Sequence, residues 1–174
     1  MKWLILISIF LCMNDEIVIF DKAQSSQKWY ITNDVVMGGL SKSIMKVDKG
    51  GKAIFSGEVS IENNGGFAMT RLPLNLKLDS KKSKIVLQLK GDGKKYQLRL
   101  KSNENQRFWY VQTFQTINKD QVIELPLSEF YPSFRGYKLD LGNFSGDKLK
   151  EVAILIGNKT NESFSLEIEK IIIR

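Results

Sequence analysis

Amide and carboxylate side chains stand beside glycine pairs in two stretches of the sequence. In NDVVMGG, Asn33 and Asp34 precede Gly38 and Gly39, and ENNGGF at residues 62–67 repeats this order. Neither stretch has the Lys-Ser/Thr end of a phosphate loop or the glycine spacing of a dinucleotide-binding loop. Both lead into strand-like sequence. Glycine there suits turns and close backbone approaches, because it tolerates positive φ freely.

The polar pairs follow predicted buried strands, and two roles are open for them. Asx side chains in such positions commonly bond nearby backbone N–H groups and close turns. Alternatively, Asn33, Asp34 and residues 63–64 form a shared polar pocket at one end of the fold, with Arg71 and Arg135 as charge partners. Because a buried carboxylate needs a cation or several N–H donors, we predict that Arg71 or Arg135 contacts Asp34 or Asn33.

The sequence contains few of the residue combinations that catalysis requires. The sequence holds no His, which excludes Ser-His and Cys-His nucleophile pairs, His bases and His metal ligands. Glu58 and Glu62 have a feasible spacing for paired glycosidase carboxylates, but they alternate with predicted core residues, which favours a solvated strand face. A hydrolase using Asp34 or Glu62 and Ser–Lys chemistry from residues 41–43 are the weaker alternatives. We therefore predict a protein without catalytic residues, metal or cofactor.

Alternation with a period of two residues dominates the elements that must position these side chains. AIFSGEVSI places Ala53, Phe55 and Val59 on one face and polar residues on the other. RFWYVQTFQT, QVIELPL, EVAILIG and FSLEIEKIIIR supply further strands, and turn signals separate them. Short strands at this spacing predict an all-β sandwich.

A basic hairpin is predicted between residues 84 and 101, with Gly91, Asp92 and Gly93 as its turn. Residues 81–101 contain eight basic residues and one acid, which suits an anionic partner or simply solvates an exposed edge. If the segment serves a partner, reversing Lys90, Arg99 and Lys101 to Glu should leave the melting temperature near that of the wild type and weaken partner or membrane association, as high salt would. The predicted core residues of this hairpin are Ile85, Leu87, Leu89, Tyr96, Leu98 and Leu100.

Aromatic residues provide a second kind of binding chemistry. Those that could form a sugar-stacking platform are Trp29, Tyr30, Trp109, Tyr110, Tyr131, Phe134 and Tyr137. In RFWYVQTF, Trp109 and Val111 share one strand face, while Tyr110 and Phe114 share the other. One face must be core, so the other is exposed for stacking or is buried as well. Because the basic segment lacks aromatic residues interleaved on the same face as its basic side chains, we predict no nucleic-acid binding.

The first residues, MKWLILISIFLCMND, resemble the charged and apolar regions of a signal peptide and are too short to span a bilayer. We predict an apolar segment at residues 1–14, acting as a signal or anchor, and a single β-sandwich domain at residues 15–174. Export to the periplasm or membrane tethering is favoured, with a cytoplasmic location as the alternative. A first β-strand or an apolar tail is the other interpretation of the segment.

Five ordered blocks resemble the complex I intermediate-associated protein 30 family. They are WYITNDVVMGGLS, FSGEVSIENNGGFAMTR, LKGDGKKYQLRL, LPLSEFYPSFRG and EVAILIGNK with FSLEIEKI, and they cover residues 21–174. The resemblance implies a jelly-roll β-sandwich similar to galactose-binding domains. It also implies a chaperone-like role in assembling NADH:ubiquinone oxidoreductase, without catalysis. The apolar N-terminus departs from an Arg- and Ser-rich transit peptide, which indicates a bacterial-type relative.

The resemblance implies a protein partner, with a membrane-associated complex as the candidate, and a non-enzymatic binding and assembly function. A jelly-roll carbohydrate-binding module is the alternative function, with carbohydrate as the ligand. The family-motif positions, taken as candidate binding residues, are Trp29, Asn33, Asp34, Met37, Gly38, Gly39, Ser41, Asn63, Gly65, Gly66, Phe67, Arg71, Gly91, Asp92, Gly93, Tyr96, Arg135 and Gly136.

Overall fold

The alternating pattern produces β-strands along most of the chain. The structure, a computed structural model, describes residues 16–24, 29–34 and 38–174. Three short 3-10 turns lie at Lys22–Gln24, Glu62–Asn64 and Leu127–Glu129. The strands are β1 Ile17–Phe20, β2 Tyr30–Asn33, β3 Lys42–Val47, β4 Ala53–Val59, β5 Ala68–Lys77, β6 Lys84–Lys90, β7 Lys95–Lys101, β8 Trp109–Gln115, β9 Asp120–Pro126, β10 Tyr131–Phe134, β11 Tyr137–Lys138, β12 Lys148–Ile156 and β13 Glu162–Ile173.

The strands form two antiparallel sheets. The six-stranded sheet has the order β3-β4-β13-β6-β9, with β1 added beside β13. The seven-stranded sheet has the order β11-β10-β8-β7-β12-β5-β2. The inner faces of both sheets contribute to one large cluster of buried apolar side chains. The predicted all-β sandwich is therefore confirmed.

Aromatic side chains join the two inner faces. Phe55 and Phe164 of the six-stranded sheet meet edge to face, with ring centroids 4.7 Å apart. Tyr96 of the seven-stranded sheet stacks on Phe114 and lies 6.4 Å from Phe164. Such pairs add to the free energy of burial. The six predicted core residues, Ile85, Leu87, Leu89, Tyr96, Leu98 and Leu100, are all buried, which confirms that part of the prediction.

The predicted basic hairpin is wrong, because β6 and β7 belong to opposite sheets. Residues 91–94 cross the edge of the sandwich. A Cβ on Gly91 would lie 2.1 Å from the Cβ of Thr116, so only glycine fits there. The carboxylate of Asp92 accepts a hydrogen bond from the N–H of Ser165 on β13 at 3.0 Å, which ties the crossing to the six-stranded sheet.

The basic segment is consequently divided between the two sheets. Lys90 is exposed on the six-stranded sheet, whereas Arg99 and Lys101 are half-buried on the seven-stranded sheet. A single basic patch, as predicted from the sequence, is therefore absent from this part of the described chain.

Two predictions concern residues outside the described ranges. The apolar segment at residues 1–14 and the motif residue Met37 both lie there. Among the residues that the structure describes, none belongs to a helix long and apolar enough to cross a membrane.

Candidate functional site

The carboxylate of Asp34 follows β2 and joins three segments of the chain. Its Oδ2 atom accepts hydrogen bonds from Ser41 Oγ at 2.6 Å, from Gly66 N at 2.5 Å and from Phe67 N at 3.1 Å. Its Oδ1 atom accepts one from Ser41 N at 3.3 Å. Burial raises the pKa of Asp34, but these hydrogen bonds outweigh burial and lower the pKa below its usual value. The charged carboxylate is thus satisfied by backbone and hydroxyl donors.

Both glycine pairs close around this carboxylate. A Cβ on Gly39 would lie 2.5 Å from Asp34 Oδ1, and one on Gly65 would lie 2.7 Å from Asp34 Oδ2. Gly38 and Gly66 have φ values of +85° and +130°, which favour glycine. The sequence stretches with repeated glycine pairs therefore form one structural unit. We call it the Asp34 cluster, consisting of Asp34, Gly38, Gly39, Ser41, Gly65, Gly66 and Phe67.

The neighbouring amides support the same turns. Asn33 Oδ1 accepts a hydrogen bond from Ser43 Oγ at 2.7 Å. Asn63 Nδ2 donates to the carbonyl oxygen of Gly38 at 3.2 Å, and its backbone φ is +53°. Asn tolerates this left-handed region better than most residues. Asn33 and Asn63 thus hold the loops of the Asp34 cluster in place.

The prediction that Arg71 or Arg135 contacts Asp34 or Asn33 is wrong. Arg71 pairs with Glu151 of β12, and Arg135 lies in the turn between β10 and β11. The physical reason is that four hydrogen bonds from backbone and hydroxyl groups already satisfy the carboxylate.

Gly91, Asp92, Gly93 and Tyr96 lie at the crossing from β6 to β7, away from the Asp34 cluster. Asp92 Oδ1 accepts a hydrogen bond from the N–H of Lys94 at 3.2 Å. Gly93 has a φ of +83°, and Tyr96 is 1% exposed. Burial, followed by the neighbouring carboxylate of Asp92, raises the pKa of the Tyr96 hydroxyl. Gly91, Asp92 and Gly93 therefore form the connection between β6 and β7, and Tyr96 anchors β7 in the core.

Three further motif residues lie apart from both of these groups. Arg135 and Gly136, with φ values of +50° and +86°, form the two-residue turn between β10 and β11, as expected of a type I′ hairpin turn. The guanidinium of Arg135 lies 5.4 Å from the ring centre of Phe134. Trp29 packs edge to face on Phe20 at 5.8 Å and contacts the core.

Charged and aromatic side chains gather on the outer face of the seven-stranded sheet. Strand pairing places Arg71, Ala153, Arg99, Val111 and Tyr131 in one row across this face. A second group, consisting of Glu151, Lys101 and Trp109, lies on the same face, two residues along the strands from the first row. We call the whole set the outer face, defined by Tyr30, Arg71, Arg99, Lys101, Trp109, Tyr131 and Glu151.

Glu151 is the acid of the outer face, and three neighbours bind it. Arg71 donates from Nε to Oε1 at 2.6 Å and from Nη2 to Oε2 at 2.8 Å, which makes the pair bidentate. Tyr30 donates its hydroxyl to Oε1 at 2.6 Å, and Lys101 Nζ lies 3.8 Å from Oε2. Burial raises the pKa of Glu151, but these partners outweigh it and the pKa is lowered. Burial and the carboxylate raise the pKa of Tyr30 to about 12.

Cations also lie over the aromatic rings. The Arg71 guanidinium is 4.8 Å from the ring centre of Tyr30 and 5.3 Å from that of Trp109, and Lys101 Nζ is 4.6 Å from Trp109. Each contact is within the range of a cation–π interaction. Below them, Met69, Leu155 and their neighbours form a small apolar cluster against which Trp109 packs. The outer face is thus a charged and aromatic layer over an apolar floor.

The clefts of the described chain offer less chemistry. A polar cleft of about 430 Å³ lies between residues 102–105 and residues 145–150, and its lining carries charges of both signs. No group of three or more His, Cys, Asp or Glu residues within the described ranges is arranged to hold a metal. The outer face therefore remains the candidate binding site.

The sequence of the chain was compared with protein families and with known proteins. The family model described as "Complex I intermediate-associated protein 30 (CIA30)" matches residues 18–168, which is most of the chain. The chain belongs to the CIA30 family. It is 26% identical over 173 residues to "Complex I intermediate-associated protein 30, mitochondrial" of Mus musculus, with 86% of this chain and 53% of the mouse protein covered. This CIA30 chain thus spans about half the length of its mouse relative.

Solved structures confirm the predicted jelly-roll sandwich. The CIA30 chain is similar to the family 11 carbohydrate-binding module of the cellulase Lic26A-Cel5E from Clostridium thermocellum, with a TM-score of 0.68 and 17% identity over 91% of this chain and 93% of that one. It is also similar to a family 11 carbohydrate-binding module from Clostridium thermocellum in complex with a β-1,3-1,4-mixed-linked tetrasaccharide, with a TM-score of 0.61 and 18% identity over 84% and 86% of the two chains. At these identities the likeness concerns the fold.

The candidate motif positions predicted from the sequence mostly lie away from the outer face. Arg71 lies on it, and Phe67 packs beside its apolar floor. Sequence reasoning missed Glu151 and did not join Arg99, Lys101 and Trp109 into one site. The available signal was the outward alternation in QLRLK and RFWYV, which places all three side chains opposite the core residues of their strands.

Proposed function

We propose that this CIA30 chain is a non-enzymatic assembly factor that binds a protein partner through the outer face, and that the partner is an assembly intermediate of respiratory complex I. The observation that carries the proposal is the arrangement of Arg71 and Lys101 around Trp109 on the outside of the sheet. Trp, Tyr and Arg are enriched among the residues that dominate protein–protein binding energies. Membership of the CIA30 family supports the identity of the partner.

The chemistry of the site supports binding without catalysis. Asp34 and Glu151 both have lowered pKa values and are occupied by internal donors. Neither therefore has the raised pKa expected of a general acid. With no His in the sequence, the chain also lacks the commonest general base.

Affinity capture from detergent-solubilised membranes of the producing organism tests this function. The tagged chain should enrich subunits of respiratory complex I, and Trp109→Ala should reduce their recovery at least tenfold. Tyr137→Ala is the matched control, since Tyr137 is 77% exposed on the short strand β11 and away from the Glu151 network. Recovery of no complex I subunit by the wild-type chain would contradict the proposal.

Carbohydrate binding is the second candidate, favoured by the likeness to a family 11 module over 91% of this chain. The outer face argues against it in one respect: cations lie over the rings of Trp109 and Tyr30, where a sugar would stack. The mixed-linked tetrasaccharide bound by the solved module is a suitable probe. A rise in melting temperature with this sugar, lost in Trp109→Ala, would favour the carbohydrate function.

A further inference from the structure

We infer that the outer face binds an acidic segment of the partner protein and that Arg99 is the residue that receives its carboxylate. This inference rests on the proposed function for the class of partner, and it adds the chemistry by which that partner is recognised. The argument starts from the position of Arg99 within the sheet.

Arg99 occupies the middle of the outer face without an acid beside it. On β7 it lies between Ala153 of β12 and Val111 of β8, and Tyr131 of β10 is next in the row. Ala153 and Val111 are 0% and 2% exposed, so the side chain of Arg99 stands over an apolar surface. A cation in such surroundings is desolvated, and its charge is poorly screened.

The guanidinium of Arg99 has donors to spare. Its Nε and Nη2 atoms both donate to Gln97 Oε1, at 3.0 and 2.7 Å. A guanidinium carries five N–H donors. Two of them bind the neutral amide oxygen of Gln97, which leaves three for another acceptor. Burial lowers the pKa of Arg99 to about 10, as expected for a cation without a counter-ion. A carboxylate is the acceptor that fits this fork best.

The charges on the outer face do not balance. Arg71, Arg99 and Lys101 are its cations, and Glu151 is its acid. Both carboxylate oxygens of Glu151 already accept hydrogen bonds from Arg71. Arg99 has no ion pair with any acid of the described chain, which includes every acidic residue of the sequence except Asp15. An acidic partner would supply the missing negative charge. Complementary charge of this kind steers association and sets specificity.

The surroundings of Arg99 also indicate what accompanies the carboxylate. Trp109 and Val111 lie on the same face of β8, Tyr131 of β10 is paired with Val111, and both aromatic side chains are half-buried. These side chains suit an apolar or aromatic neighbour of the acidic residue. We therefore assign the site to an acidic segment with interspersed apolar residues, such as alternating Glu and Leu.

A peptide titration tests this assignment on the full chain. The probe is a capped hexapeptide of alternating Glu and Leu. Its binding is monitored by nuclear magnetic resonance of the Arg99 Nε–H and Trp109 Nε1–H groups. Both resonances should shift on binding. Arg99→Gln should weaken binding at least tenfold, and Arg99→Lys should restore part of it, because the charge returns without the fork. Lys46→Gln, an equal charge change at an exposed position of β3 on the other sheet, should have little effect.

Two further probes distinguish the sources of negative charge. The same peptide with Gln in place of Glu should not bind, and inorganic phosphate should bind more weakly than the acidic peptide. Equal binding of the Gln peptide, no binding of the Glu peptide, or tighter binding of phosphate at Arg99 would each overturn the assignment.

The outcome is separable from that of the complex I experiment. Peptide binding at Arg99 without capture of complex I subunits would leave the acidic site and remove the proposed partner. Capture of complex I subunits that is equally strong with Arg99→Gln would leave the proposed function and remove the acidic site.

Discussion

Asp34 and Glu151 are both buried carboxylates, 6% and 7% exposed, but the chain satisfies them in opposite ways. Asp34 receives the N–H and hydroxyl of nearby Ser41 and the backbone N–H groups of Gly66 and Phe67, more than 30 residues away. Glu151 receives the side chains of Arg71 and Tyr30 on an open sheet face. The first arrangement closes loops around an anion. The second draws cations and aromatic rings together where a partner can reach them.

The difference shows why a dense sequence motif need not mark a binding site. Gly39 and Gly65 are required by close approach to a carboxylate, and Gly38 and Gly66 by positive φ, so the motif reflects a demand of folding. The outer face carries few such constraints, since its side chains alternate with core residues along ordinary strands. We therefore expect substitutions in the Asp34 cluster to change stability most and substitutions on the outer face to change binding most.

The largest effect on stability is expected for Asp34→Asn. The substitution removes the charge and leaves the N–H groups of Gly66 and Phe67 facing an amide, so the free energy of unfolding should fall by about 3 kcal/mol. Denaturant unfolding measures it. Asp48→Asn is the control, because Asp48 is exposed and accepts a hydrogen bond from Lys52 N at 2.9 Å within its own turn. Equal losses in the two variants would contradict the central role of the Asp34 cluster.

A smaller loss is expected for Gly39→Ala. Its Cβ would press against Asp34 Oδ1 at 2.5 Å and against the Asp34 carbonyl oxygen at 2.7 Å, so the free energy of unfolding should fall by about 2 kcal/mol. Thermal unfolding gives the measurement. Gly142→Ala provides the comparison, because a Cβ at Gly142 meets no atom within 4 Å. If Gly39→Ala were as well tolerated as Gly142→Ala, the cluster would be looser than its geometry indicates.

Glu151→Gln should cost less, about 1 kcal/mol of unfolding free energy. The amide keeps hydrogen-bonding atoms near Arg71 and Tyr30 while the attraction between charges is lost, and Arg71 is 22% exposed. Glu124→Gln is the matched control for an exposed pair with Lys84, and it should change stability by less than about 0.5 kcal/mol. A loss above that of Asp34→Asn would reverse the comparison between the two carboxylates.

Acid sensitivity should give the smallest difference. The pKa values of Asp34 and Glu151 are lowered in the folded chain, so their stabilisation is present above the unfolded carboxyl pKa of about 4 and is lost as the pH falls through the folded values. Stability measured between pH 5 and about pH 2 should therefore decline less steeply in Asp34→Asn and in Glu151→Gln than in the wild-type chain. An unchanged slope in both variants would argue that other carboxyls control acid unfolding.

The inward side chains of the strands were predictable, whereas sheet membership was not. Leu87 and Leu98 are buried as expected, because a period of two residues marks the core face whichever sheet the strand joins. The turn signal at Gly91–Gly93 fits a hairpin and a crossing equally well. The choice of a crossing depends on Thr116 and Ser165, which approach from far along the chain.

The groups that bind Asp34 and Glu151 could not be predicted from the sequence for a similar reason. Three of the four hydrogen bonds to Asp34 come from backbone N–H groups, and a backbone N–H leaves no mark in the sequence. Glu151 is one acid among alternating strand residues, and its pairing with Arg71 depends on β12 lying beside β5. The family resemblance identified the motif blocks but did not show which of their residues lie on the outer face.

The position of β13 has a consequence for biosynthesis. This strand lies at the centre of the six-stranded sheet and pairs with β1, β4 and β6, so that Val59 meets Glu162 and Ile17 meets Ile173. The sheet cannot close until the ribosome has released residues 162–173, and at about 5–20 residues per second the earlier strands wait several seconds for their neighbour. During that interval the edges of β4 and β6 that pair with β13 in the folded chain have no partner strand, so their backbone N–H and C=O groups are open to pairing with other chains.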